Sequence, residues 1–175
     1  YNRDEPVSES IYILGAARTP VGSFQGSLAS QSAPELGAHA IAAALVNGQV
    51  DRAEVNEVII GNVVSSGLKQ APARQAMRIA QLPDSCAATT INKVCGSGMK
   101  ATMLAMDLIR AGSADTVVAG GMESMSNAPY LVAKARTGLR MGHAGMLDSL
   151  FTDGLEDAET GGSMGSFAQN TADQH

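Results

Sequence analysis

The chain has 175 residues, a length that one domain can hold and that suffices for a substantial core. With 45% hydrophobic and 17% charged residues, 19 Gly, 9 Met and no Trp, it has the composition of a folded, soluble, aliphatic protein rather than a disordered one. A net charge of −5 with no run of Lys or Arg argues against a nucleic-acid surface, and no stretch approaches the roughly 18 apolar residues of a membrane span.

The polar opening from Tyr1 to Ser10 lacks the basic end and apolar run of a secretory leader, so a cytoplasmic protein is expected. Ile11 to Ala17 is a short apolar run with β-branched and aromatic residues, closed by Arg18-Thr19-Pro20, and reads as a buried strand followed by a turn. After a Gly/Ser-rich loop, Ser32 and Glu35 have the spacing of a capping box with Pro34 inside it, which starts a helix running to Val46. Glu57 to Val64 is a second strand, Pro72 to Ala80 a short helix, and Ala87 to Asn92 a third strand.

From Ser97 to Arg110 the pattern is helical. Lys100, Asp107 and Arg110 form a narrow polar stripe, and Met99, Met103, Leu104, Met106, Leu108 and Ile109 cover the rest, which places this helix in the interior and its methionines in the core. Gly112 stops it, and Asp115 to Gly121 is a fourth strand. Alternating strands and helices imply right-handed crossovers and a mostly parallel sheet with helices on both faces, an α/β unit over residues 1–122. From 123 to 175 Ser, Asn, Pro, Gly and Met dominate and periodicity fades, which reads as an irregular excursion away from the sheet.

The two cysteines, Cys86 and Cys95, form neither a CxxC pair nor a disulfide framework. Cys95 stands between a strand end and a helix start, where unpaired N–H groups and the positive end of the helix dipole favour an anionic sulfur. Gly96 and Gly98 let backbone approach a substrate closely, and the carboxyl end of a parallel strand is where open α/β sheets place their sites. These local features are equally consistent with a small buried cysteine, and they do not separate acyl transfer from redox chemistry. Cys86 reads as passive. His39 and His143 have no ligand cluster at metal spacing, so no metal site is expected, and Gly96-Ser97-Gly98 lacks the rest of a nucleotide-binding glycine loop.

Four strings narrow the choice. NKVCGSGMKA (Asn92 to Ala101), VAGGMESMSNAPY (Val118 to Tyr130), AARTPVGSFQGSL (Ala16 to Leu28) and GNVVSSGLKQAPARQA (Gly61 to Ala76) resemble, in order and in register, the motifs of the thiolase family. The resemblance runs from about Ile11 to the last residue. It implies the thiolase fold, a mostly parallel mixed sheet with helices on both faces followed by part of an irregular loop domain. Residues 1–122 then correspond to an incomplete N-terminal domain and residues 123–175, opening at Glu123 and Ser124, to the start of a CoA-binding loop domain. The family's C-terminal domain is absent from the sequence.

The implied activity is that of an acetyl-CoA C-acetyltransferase, which condenses two acetyl-CoA to acetoacetyl-CoA plus CoA, or runs the reverse thiolysis. Cys95 carries the acyl group. No cofactor is implied, because CoA thioesters are the substrates, and no metal. In the family a histidine base, a second cysteine and an oxyanion hole come from the C-terminal half, so the chain alone is expected to be inactive. Leu155 and Met164 match positions that contact the pantetheine of CoA, although Ser163 stands where a histidine often precedes that methionine. Gly138 to Asp148 resembles a loop that assembles tetramers in some members, and a homodimer or homotetramer is expected of the complete protein. The alternatives are a longer-chain 3-ketoacyl-CoA thiolase of fatty-acid oxidation, a decarboxylating ketoacyl synthase, and a catalytically silent fragment.

Overall fold

The computed structural model describes residues 10–175. Helix α1 (Ala33–Gly48) begins as its sequence dictates. The Ser32 N–H donates to Glu35 Oε2 at 2.7 Å, and the Glu35 N–H donates to Ser32 Oγ at 3.4 Å, with Pro34 in the first turn. Those Ser32 donors, backbone first and hydroxyl second, hold the Glu35 carboxyl below the usual carboxylate range.

Three parallel strands follow, alternating with helices: β1 (Glu57–Gly61), α2 (Pro72–Ile79), β2 (Ala87–Ile91), α3 (Ser97–Arg110) and β3 (Val117–Gly121). Their order in the sheet is β2-β1-β3, with Glu57 opposite Ala87 and Val117, and Gly61 opposite Ile91 and Gly121. Asn56 aligns the strand entrances: its side chain accepts the N–H groups of Asp115 and Thr116, its N–H donates to Thr116, and its carbonyl accepts from Ala87.

Alternation along β1 assigns the helices to faces. Val58 and Ile60 belong to a core with Ala38, Ile41 and Leu45 of α1 and Ala73, Ala76 and Met77 of α2. Ile59 and Gly61 point the other way, toward α3, which packs on β1 and β3 through Ser97, Ala101 and Ala105. Helices cover both faces, as an α/β sheet requires. Fully burying Val58 or Met77 contributes about 1.5–3 kcal/mol each.

Two expectations from the sequence fail. Residues Ile11 to Ala17 form no strand: Gly15 lies against the backbone of Ala44 and Gly48, and the Asn47 side chain donates to the Ala16 carbonyl at 3.0 Å. Tyr12 and Ile13 are exposed, because among the described residues no strand pairs with the segment. Nor is α3 buried all round. It sits on its alanines, which allow close approach to the sheet, and that seating turns Met99 (74% exposed) and Met103 (48% exposed) outward. Beyond β3 the elements are short, including an antiparallel pair β4 (Tyr130–Leu131) with β5 (Leu147–Asp148), a single π-helical turn Phe151–Leu155, and α4 (Met164–Gln174), which has no buried residue. No helix among the described residues is long and apolar enough to cross a membrane.

Candidate active site

The chain runs from β1 outward to β2 and returns across the sheet to β3, so strand order reverses between β1 and β3. A crevice at the carboxyl ends of such neighbours is the natural ligand site of an open α/β sheet. There the structure holds a cleft of about 270 Å³. Its floor is Gly61 and Gly121 at the strand ends, its sides are Val63, Met122 and Glu123, and across it lies the turn Val94-Cys95 with Ser97 and Gly98 of α3. Cys95 is exposed at this mouth, while Cys86 is buried and its thiol is pushed up, first by burial and then by the Glu57 charge.

A compact set of bonds builds the cysteine turn. Val94 N–H donates to Asn92 Oδ1 at 2.8 Å, Lys93 N–H donates to Ser97 Oγ at 2.9 Å, and Ser97 Oγ donates to the Val94 carbonyl at 2.6 Å. Ser97 is thereby both the first residue of α3 and the clasp of the turn before it. No side chain caps α3, so its first-turn N–H groups have no side-chain acceptor beside the sulfur.

The glycines at strand ends set how closely the helix approaches. A Cβ on Gly61 would lie 2.3 Å from Ser97 Cβ, and one on Gly121 would meet Gly98 Cα at 3.4 Å. Gly61→Ala must therefore push Ser97 and the cysteine turn off the sheet. The expected cost is about 1–3 kcal/mol of unfolding free energy, with slower alkylation of Cys95 by iodoacetamide; urea titration and a timed mass measurement check both.

The carboxylate of Glu123 organises the opposite side. Its oxygens accept from Val63 N–H (2.9 Å), Val64 N–H (3.1 Å) and Asn62 Nδ2 (2.7 Å), and Asn62 Nδ2 also donates to the Met122 carbonyl at 3.3 Å. This clamp ends β1: of Asn62 to Val64, expected to continue the strand, Asn62 still donates its N–H to the Ile91 carbonyl of β2 at 3.0 Å, while Val63 and Val64 turn aside to meet the carboxylate. Burial raises the Glu123 pKa above its ordinary value, and the bonds from Val63, Val64 and Asn62 oppose that rise. Asn62 is 2% exposed and its Oδ1 has no partner among the described residues. The sequence offered Glu123 only as the opening of the excursion; an acidic residue two positions beyond a strand that ends in Gly120-Gly121 is the signal that points to such a clamp.

Leu155 and Met164 do not line the cleft about Cys95. Leu155 closes the π-helical turn, whose Gly154 packs beside Val64 and Val63, and Ser66 Oγ donates to Asp153 at 3.3 Å, so that turn rests on the loop flanking the cleft. Met164 opens α4 and is partly exposed, and Ser163 before it is the helix N-cap, accepting the Ser166 N–H at 3.2 Å. Among the described residues, no group of three or more His, Cys, Asp or Glu is arranged to hold a metal ion.

Comparison with known proteins agrees with this geometry. The family described as thiolase, N-terminal domain, matches residues 11–175. Acetyl-CoA acetyltransferase 2 of Arabidopsis thaliana is 53% identical over 164 residues, covering 94% of this chain and 41% of the relative. Acetyl-CoA acetyltransferase of Pseudomonas aeruginosa is 52% identical over 167 residues, covering 95% and 42%. The crystal structure of the Acat5 thiolase from Ascaris suum in complex with coenzyme A superposes with a TM-score of 0.88 at 40% identity, over 93% of this chain and 42% of that one. The chain thus spans about 42% of the length of such relatives, and with its α/β fold and the match over residues 11–175 it belongs to the thiolase family.

Proposed function

We propose that the protein is a thiolase-type acyltransferase that exchanges acetyl groups between CoA thioesters through an acyl-Cys95 intermediate. The observation that carries this reading is the position of Cys95, exposed at the mouth between β1 and β3 and at the uncapped start of α3, in a chain of the thiolase family.

The Cys95 thiolate attacks the carbonyl carbon of acetyl-CoA, the C–S bond to CoA breaks, and CoA leaves as a thiolate that takes a proton. In the second half, a carbanion formed by removing a proton from the methyl group of a second acetyl-CoA attacks the acetyl-Cys95 carbonyl. The Cys95 thiolate departs, and acetoacetyl-CoA results; thiolysis is the same path reversed. The chain's own part is to hold the sulfur: Ser97 and Asn92 fix the turn, the Gly61 and Gly121 contacts seat α3, and Glu123 fixes the facing wall. The thioester supplies its own activated carbonyl, so the reading includes neither cofactor nor metal.

In this reading Leu155 and Met164 contact the pantetheine arm of CoA; the seating of the Phe151–Leu155 turn on the loop beside the cleft supports the assignment of Leu155. A homodimer or homotetramer is supported by the exposed apolar side chains of Leu139, Met141 and Met146 between β4 and β5. Two free thiols and no disulfide among the described residues suit a reducing compartment, the cytoplasm in this reading, with a role in fatty-acid metabolism. The test is turnover: a full-length version given acetoacetyl-CoA and CoA is expected to yield acetyl-CoA, and a folded full-length version without this activity overturns the reading.

A further inference from the structure

Val94 occupies the left-handed region with φ 47°, a conformation that β-branched residues rarely adopt. Its backbone is held there from both ends: its N–H donates to Asn92 Oδ1 at 2.8 Å, and its carbonyl accepts from Ser97 N–H at 3.1 Å and Ser97 Oγ at 2.6 Å. Every one of these bonds uses main-chain atoms of Val94. A glycine would keep them all and take this φ without strain, and the chain uses glycine close by at 96 and 98. Core packing does not account for the valine either, because its side chain is 50% exposed and contributes to no buried cluster. Val94 does line the cleft, in the company of Cys95, Val63 and Met122.

Strain held by several bonds at a site points to a task for the strained residue. Resting on the thiolase reading, we infer that Val94 is a specificity-determining residue, its two methyl groups forming a wall that limits the acyl group carried by the neighbouring sulfur to a short chain. Val94 and Cys95 share the lining of one cleft, so an acyl group on the sulfur that lies in the cleft meets the branched side chain, where a difference of one or two methylenes is felt. Rejection of longer acyl groups by a small apolar wall is worth roughly 10- to 200-fold.

The test compares wild type, Val94→Ala and Val94→Gly in the full-length version, each given acetyl-CoA or hexanoyl-CoA, with the rate of Cys95 adduct formation read by intact mass. Val94→Ala keeps a side chain that disfavours positive φ and removes only the methyl groups; Val94→Gly also removes the strain and keeps the comparison open if the alanine variant folds poorly. The hexanoyl-to-acetyl rate ratio is expected to rise about tenfold in both variants. Adducts with an unchanged ratio overturn this inference and leave the acyl-transfer reading standing. No adduct in any protein, wild type included, overturns the acyl-transfer reading and this inference with it.

Discussion

Cys95→Ser is expected to abolish acyl transfer in the full-length version, lowering kcat on the order of 10⁴-fold or more, the scale of loss when the nucleophile of a covalent mechanism is removed. The substitution changes one atom at an exposed position, so no packing change competes with the chemical explanation. The hydroxyl is a far weaker nucleophile at neutral pH and ionises far less readily than a thiol. Unfolding by urea should give the same midpoint for both proteins, since the bonds that form the turn belong to Asn92, Lys93, Val94 and Ser97 and none to the sulfur. A variant that lost stability together with activity would show instead that Cys95 is a structural residue. Cys86→Ser gives the contrast: that thiol is buried, and its replacement should cost stability and leave transfer intact.

Glu123→Ala carries the second largest effect. Three donors converge on this carboxylate, and removing it leaves Asn62 Nδ2 with only the longer bond to the Met122 carbonyl and strips the N–H groups of Val63 and Val64 of their acceptor. Unmade bonds at a half-buried site cost about 1–3 kcal/mol, and the loss should fall on the exits of β1 and β3 together, because the clamp joins them. Hydrogen exchange at Val63 and Val64 should therefore quicken well beyond the change at β2. Glu123→Gln isolates the charge. Because burial raises the folded-state pKa above the unfolded value near 4.5, the folded protein binds this proton more tightly than the unfolded chain does. The stability that protonation contributes is fully present below the unfolded value and is lost as pH rises through the folded one. Thermal melting across that interval should shift in favour of the wild type over Glu123→Gln as pH falls, and a difference that moved the other way would mean that the hydrogen bonds outweigh desolvation.

The parts of the fold that were legible in the sequence are those governed by short-range rules. Ser32, Pro34 and Glu35 specify the start of α1 within one turn of chain, and Ser97 to Arg110 coincides with α3. Strand β1 was recognisable but its end was not, since a carboxylate about 60 positions away takes the N–H groups of Val63 and Val64 that would have continued the ladder. The same distance dependence explains the two errors. Ile11 to Ala17 has the composition of a strand, but strand formation requires a paired neighbour, and within the described residues the segment lies on α1 instead. The methionines of α3 are apolar enough for a core, but which stripe of a nearly apolar helix faces the sheet is decided by close approach, and the alanines win. At the site, Cys95 stood out because a cysteine followed by Gly96 and Gly98 at a strand-to-helix junction is an unusual local pattern. Val94 did not, because a left-handed valine is visible only in the backbone.

The central claim is that Cys95 holds an acyl group, and intact mass after brief exposure to acetyl-CoA tests it most directly. In the full-length version the account predicts a single acetyl adduct, mapped by peptide digestion to Cys95 and missing from Cys95→Ser. Residues 1–175 by themselves should form little or none, since they span about 41% of the length of a relative such as the Arabidopsis thaliana enzyme. A full-length protein that stays unmodified while folded, or that carries its acetyl group on another residue, would contradict the account.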